Sequence, residues 1–381
     1  MPDIKMPENI SSQHYLLPVQ LTDPNRLDQQ TLCGINREDQ RSFMVTRLDG
    51  YLLSTTLLPR TCRLGDICGD ICLLIGQDTL FCSADQGFSF KEISIPLEAG
   101  EHLSQVKIYR QEIIVLLSRM KKPPAQELEP RLLRLTLSGA LIWQTRLPVV
   151  NEQHVRIISP GKSPEELPER RECAPRYWVL TQVQISGETL MATYADPATS
   201  GLGAWYAVNL NNGELIWHSR SEPVTYACAL SKDRFLLTAS GYGALDTYLF
   251  DRENLISEHW PTSGPCFETR QGQLMSIQTS SKHNGQQLVE LAPGGQIISC
   301  SPPFPEGKGH TGTPIQLAGD KTFFWRDNHL WGWQPGQALE QVMKVNTQSY
   351  RVKLLALSPD SFAVIYRQQT RKPANIRIFH F

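Results

Sequence analysis

Residues 205–220 read WYAVNLNNGELIWHSR: an alternating apolar run, a stop at Asn211-Asn212-Gly213, and a second run that reaches Trp217. Period-two alternation places successive apolar side chains on one face of an extended strand. A glycine in the stop supplies the positive φ that a tight turn between antiparallel strands requires. The stretch therefore predicts a β-hairpin.

Weaker copies recur along the chain. They are RLLRLTLSGALIWQTRLP (131–148), LVELAPGGQIISCSPP (288–303), HLWGWQPGQALEQVM (329–343), TYLFDRENLISEHW (247–260), SFMVTRLDGYLLSTTL (42–57) and TLFCSADQGFSFKEI (79–93). A partial copy, NIRIFHF (375–381), ends the sequence before its second strand. The copies starting at 205, 247, 288 and 329 lie close to 41 residues apart, the period of WD40-like and other four-strand propeller blades. Between them run two further strand-like segments, as in YACALSKDRFLLTAS (226–240) and VKLLALSPDSFAVIY (352–366). No helical period of useful length separates the units. The repeating unit is thus a four-strand meander. Such a sheet gains stability by stacking radially on its neighbours.

The expected fold is all-β, a single β-propeller of four-stranded antiparallel blades over residues 1–381. Eight blades are favoured over seven. The last copy lacks its outer strand, so an N-terminal strand within 1–40 is expected to close the ring. HYLLPVQL (14–21), or something earlier, gives eight blades. Closure by 51–57 would give seven, with the first 40 residues decorating the outside. Two stretches break the period: RMKKPPAQELEP (119–130) and NEQHVRIISPGKSPEELPERRECAPR (151–176), both rich in proline and charge. They read as surface insertions, and loops of this length often carry function.

Composition narrows the function. Lys plus Arg is 37 and Asp plus Glu 38, a formal net charge of −1. That lacks the basic excess with which nucleic-acid binders neutralise phosphate, so no nucleic-acid partner is expected. The start, MPDIKMPENISSQHYLLPVQL, shows no cationic segment followed by an apolar one, and apolar runs such as Ile113–Leu117 are far too short to span a bilayer. A cytoplasmic protein without a membrane partner is expected. Nine scattered cysteines (33, 62, 68, 72, 82, 173, 228, 266 and 300) fit neither a disulfide framework nor paired zinc-ligand spacing. They read as core thiols.

The strand, Asn-Asn-Gly and Glu-Leu-Ile-Trp of 206–217 resemble the repeat of quinoprotein-like (PQQ-repeat) β-propellers, and Leu132–Trp143 matches next best. The resemblance implies that Gly213 and Gly139 make turns and that Trp217 and Trp143 dock between neighbouring blades. Ser83-Ala84-Asp85-Gln86-Gly87-Phe88-Ser89-Phe90 resembles an Asp-box, with Phe90 in place of Trp. That resemblance implies a structural role for Asp85, bonding amides of its own turn beside Gly87. The quinone dehydrogenases of the first family use a calcium-bound cofactor near the ring axis, in many members stacked on a disulfide between adjacent cysteines. This sequence has no Cys-Cys pair. A sialidase-like enzyme would bring an arginine triad and several Asp-boxes, of which one copy is present.

Other candidates favour structure over chemistry. His218 and His259 sit at strand ends beside Trp217 and Trp260 and read as blade-edge polar groups. GKGHTGTP (307–314) lacks P-loop spacing. Phe323, Phe324, Trp325, Trp331 and Trp333 read as blade packing, with a partner hot spot as the alternative. No catalytic residue, cofactor or metal site is expected. The function that follows is a non-enzymatic protein-interaction scaffold or a subunit of a multi-component bacterial complex. Its partner surface is expected in the two insertions, with Lys121, Lys122, Arg170 and Arg171 as contacts. The alternative is a small-molecule or glycan-processing enzyme with an axial active site.

Overall fold

The computed structural model describes residues 11–17, 21–120, 129–148, 177–197, 203–221, 223–241, 244–254, 256–260, 266–269, 272–279, 285–304, 314–316, 321–326, 328–344, 350–367 and 374–380. Among them every regular element is a strand. After β1 (Ser11–Leu16) the strands come in quartets. The first is β2 (Leu21–Arg26), β3 (Thr31–Asn36), β4 (Ser42–Arg47) and β5 (Leu52–Leu57). The second is β6 (Arg63–Cys68), β7 (Ile71–Ile75), β8 (Thr79–Ser83) and β9 (Lys91–Ser94). Then follow β10 (Glu101–Tyr109), β11 (Glu112–Met120), β12 (Arg131–Leu135) and β13 (Leu141–Arg146). Next are β14 (Tyr177–Ser186), β15 (Thr189–Ala195), β16 (Gly203–Asn209) and β17 (Leu215–Ser221). The fifth quartet is β18 (Val224–Leu230), β19 (Arg234–Gly241), β20 (Ala244–Asp251) and β21 (Ile256–Trp260). The sixth is β22 (Cys266–Glu268), β23 (Leu274–Thr279), β24 (Gln286–Leu291) and β25 (Ile297–Cys300). The seventh is β26 (Ile315–Gln316), β27 (Thr322–Arg326), β28 (His329–Trp333) and β29 (Glu340–Lys344). The chain ends with β30 (Tyr350–Ser358), β31 (Ser361–Arg367) and β32 (Asn375–His380).

All pairings are antiparallel. Five quartets are separate four-stranded sheets, and a sixth four-stranded sheet is completed by β1 in the order β1-β32-β31-β30. The remaining two quartets share one eight-stranded sheet, β10 to β17. The fold is a single β-propeller of small antiparallel sheets.

Burial explains the sequence pattern. Middle strands such as β7 and β15 are buried at every position, because each sheet is covered on both faces. Their sequences are accordingly near-continuous apolar runs. Outer strands such as β5 and β13 alternate exposed and half-buried residues. Apolar cores form between successive sheets. Leu73, Leu80 and Cys82 pack with Val115, Leu117 and Leu133, and Phe323 and Trp325 with Phe362 and Val364. The last sheet meets the first: Ala363, Ile365 and Ile376 pack against Leu32 and Met44.

The closing strand is shorter than the expected 14–21. Ser11–Leu16 pairs with His380–Asn375 along its whole length, and Leu17 N donates to Ala374 O at 3.0 Å. Leu21 begins a new strand, and residues 21–36 are the first two strands of the first sheet rather than closure or decoration. The segment 51–57 contains β5, the outer strand of that same sheet, and does not close the ring. Cys33, Cys62, Cys72 and Cys82 are buried, whereas Cys68 and Cys300 are exposed.

Candidate functional site

The turn residues of the repeat come first, because they set how neighbouring sheets meet. Gly139 and Gly213 have φ of +93° and +76°, each beside a register shift in the pairing of the third and fourth strands. This is the bulged turn that demands glycine at its left-handed position. A Cβ on Gly213 would lie 2.7 Å from Trp143 Cε3, so the indole of one quartet rests on the turn of the next. Trp143 Nε1 donates to Leu210 O at 3.0 Å, and Thr145 Oγ1 donates to Gly213 O. Trp217 occupies the matching place one quartet later, 6.5 Å from the Phe250 ring centroid, but its Nε1 has no partner among the described residues. The turn it faces, Asp251 to Asn254, contains no glycine.

Asp85 holds its own turn. It accepts from Ser89 N at 3.0 Å and from the Ser83 and Ser89 hydroxyls, each at 2.6 Å, and Ser83 Oγ accepts from Gly87 N at 2.8 Å. Those hydroxyl bonds, with the Ser89 amide, pull its carboxyl down to about 2. Phe90 packs edge-on against Phe43, 5.1 Å between centroids. Phe323, Phe324 and Trp333 are fully buried. His218 is exposed and stacks on Tyr206 across the strand pair. The His259 side chain lies outside the described residues.

Lys121, Lys122, Arg170 and Arg171 also lie outside the described residues. The roots of both insertions do not, and the fold brings them together. β11 outgrows β12: residues Ile113 to Leu116 pair with β12, while Arg119 and Met120 pair with Trp178 and Tyr177 of β14. So the strand leading into the first insertion lies against the strand leaving the second. Two buried polar clusters brace this junction. Glu101, its side chain wholly buried, binds Arg131 at 2.6 Å and Arg119 at 3.2 Å. Burial pushes the Glu101 carboxyl up, but the Arg131 hydrogen bond, the Glu98 amide and the charges of Arg131 and Arg119 outweigh it and hold it below its ordinary value. On the other side, Trp178 Nε1 donates to Tyr206 Oη at 3.2 Å, and Tyr206 Oη donates to Pro148 O at 2.8 Å. Tyr194 Oη donates to Leu117 O at 3.1 Å.

The second locality is axial. The first strands of successive quartets approach one another, as β14 does β18 and β26 does β30, and so surround the axis. Their polar side chains span the gaps that no ladder closes. Gln184 Nε2 donates to Ala227 O at 3.0 Å, and Arg26 Nη1 to Ala356 O at 2.6 Å. Asp66 Oδ2 accepts from Ile108 N at 2.8 Å. A cavity of about 560 Å³ opens here, walled by β2, β3, β6 and β10. Ile35, Leu64, Ile67 and Cys62 give it an apolar side; Asn25, Arg26, Gln40, Arg63, Asp66 and Lys107 give it a polar one. Burial raises the Cys62 thiol to about 11, so it stays neutral. Burial also lowers Arg63, and burial together with the Arg63 charge lowers His102.

This lining was missed in the sequence because inner strands hide their period. The β2, β6, β10, β14, β18 and β30 ladders each carry a register shift, which breaks the alternation of apolar and polar residues. Arginine and aspartate at Arg63 and Asp66, inside an otherwise apolar repeat, were the available signal. Among the described residues no group of three or more His, Cys, Asp and Glu side chains is placed to hold a metal ion.

No protein-family model matches the chain, and no curated protein matches it in sequence. Solved structures do resemble it. BamB from Moraxella catarrhalis aligns over 98% of this chain and 100% of its own, with a TM-score of 0.55 and 11% identity. A quinohemoprotein alcohol dehydrogenase from Pseudomonas putida HK5 aligns over 99% of this chain and 77% of its own, with a TM-score of 0.59 and 10% identity. A europium-containing methanol dehydrogenase aligns over 98% and 93%, with a TM-score of 0.58 and 11% identity. The resemblance to PQQ-type propellers read from the repeat is therefore real at the level of fold. At these identities it is a likeness of fold alone, and the fold hosts unrelated functions.

Proposed function

We propose that this chain is a rigid, non-enzymatic propeller that binds protein partners through its two insertions. One observation carries the reading. The insertions depart from a single braced junction, where β11 pairs with β14. A buried ion cluster and a buried aromatic network stiffen that place, as a presenting surface requires. Lys121, Lys122, Arg170 and Arg171 would supply its polar contacts. We count the two halves of the eight-stranded sheet as two blades, because an apolar core containing Ile114, Leu116, Tyr194 and Tyr206 lies between them. With the six four-stranded sheets this gives a ring of eight. The balanced net charge suits a cytoplasmic subunit of a larger bacterial assembly.

Reversing all four charges to glutamate tests the surface. Co-purification of native partners should fall while the melting temperature holds, the pattern that separates a contact role from a stabilising one. Full partner recovery by the reversed variant would refute it. The axial cavity supports a second reading, an enzyme acting at the axis, because its mixed apolar and polar lining is of the kind that small-molecule sites use.

A further inference from the structure

The axial cavity has an electrostatic character independent of any partner surface. Three cations line it, Arg26 from β2, Arg63 from β6 and Lys107 from β10, against the one carboxylate Asp66. That carboxylate is already engaged, by Lys107 Nζ at 3.5 Å and by Ile108 N at 2.8 Å. Neither arginine has a carboxylate partner among the described residues. Each is instead held by backbone carbonyls of a neighbouring first strand. Arg26 Nη1 donates to Ala356 O at 2.6 Å and Leu357 O at 3.1 Å. Arg63 Nη2 donates to Leu103 O at 3.4 Å and to Ser104 O.

The consequence follows from guanidinium geometry. A guanidinium has five N–H donors in a fixed plane. Among the described residues one terminal nitrogen of each anchors the side chain. A guanidinium favours an oxyanion with paired oxygens, which it binds in bidentate fashion; Arg26 is held toward β30 and Arg63 toward β10, so each would meet a ligand from its own side. Within the lining two arginine charges remain after Lys107 and Asp66 cancel, which favours an anionic ligand; Asp28, outside the lining, also feels the Arg26 charge. Ile35, Leu64 and Ile67 give room and an apolar wall for a carbon body. A cavity of about 560 Å³ suits a small metabolite and is too small for a folded partner.

We propose that the cavity walled by β2, β6 and β10 is a binding site for a small organic dianion, a phosphate monoester or a dicarboxylate, attracted by the excess of Arg26, Arg63 and Lys107 over Asp66 in its lining. The two ligand sources share one chemistry and separate in the test.

The full chain is titrated with sodium phosphate and with sodium succinate, each against sodium chloride at matched ionic strength, by calorimetry and thermal unfolding. At least one dianion should bind saturably at one site and raise the melting temperature; the stronger of the two names the ligand class. Arg26→Gln and Arg63→Gln should each weaken binding about tenfold or more, the worth of a charge-assisted hydrogen bond. Because those variants also lose strand-to-strand bonds, Gln40→Glu provides a second arm. Gln40 is an exposed turn residue at the cavity. The new carboxylate should weaken the dianion without changing the unliganded melting temperature. Equal effects of sodium chloride, no saturable heat from either dianion, or unchanged affinity in Gln40→Glu and in the folded arginine variants would overturn the proposal.

Discussion

Trp143 and Trp217 occupy the same place in adjacent copies of the repeat, yet among the described residues Trp143 has a hydrogen-bond acceptor for its indole nitrogen, Leu210 O at 3.0 Å, and Trp217 has none. The difference lies in the turn each one faces: Asn-Asn-Gly brings a backbone carbonyl under the ring, and Asp251 to Asn254 does not. Replacing Trp143 by Phe should therefore cost about 1 kcal/mol more than replacing Trp217 by Phe, in paired denaturant titrations. Equal costs would show that the turn does not govern the docking. Glu101 gives a second test. Its folded carboxyl lies below the unfolded value, so its stabilisation is full above the ordinary value of 4.5 and fades as pH falls through the lower folded value. Glu101→Gln should destabilise the protein by about 3 kcal/mol near neutrality, leaving buried Arg131 with only the looser Glu98 carboxylate at 3.4 Å. It should also flatten the acid limb of the stability curve below pH about 4.5, as followed by thermal unfolding across pH.

Among the elements, β5 stands apart. Its sequence LLSTTL carries no charge and no proline, and its outer edge pairs with no strand. Leu53 and Leu57 are exposed, and Tyr51 and Phe88 nearby are exposed as well. Such an edge invites pairing with other chains. Leu53→Lys with Leu57→Lys should lower concentration-dependent light scattering and leave the melting temperature nearly unchanged. Unaltered scattering would remove β5 as the adhesive edge. The outer strands were also the most legible part of the sequence, because their exposed and half-buried residues largely alternate and most of them follow a glycine turn. The inner strands were not. Each described bulge shifts the register, as between Leu64 and Asp66, and the side chains beyond it answer to the neighbouring strand rather than to their own sheet. The expected strand over 14–21 is divided between β1 and β2, which serve different sheets. The insertions were legible as interruptions. Their meeting was not, since it depends on two residues of β11 that continue past β12.

For the whole molecule, the ring carries two candidate localities that share β10, because Arg63 of the cavity donates to Leu103 O, two residues from Glu101 of the junction. One is the junction of β11 and β14, where the insertions are rooted; the other is the cavity beside β2 and β6. The repeat itself is committed to burial, with its glycines in turns and Trp143 packed on the next quartet. The account therefore assigns partner binding to the places where the repeat is interrupted. The direct measurement is quantitative affinity purification from the native host, comparing the intact chain, a deletion of 155–172 and Arg63→Gln, each first shown to be folded. Partners should be lost from the deletion and retained by Arg63→Gln. Retention of every partner by the deletion, or their loss from the folded axial variant alone, would contradict the account.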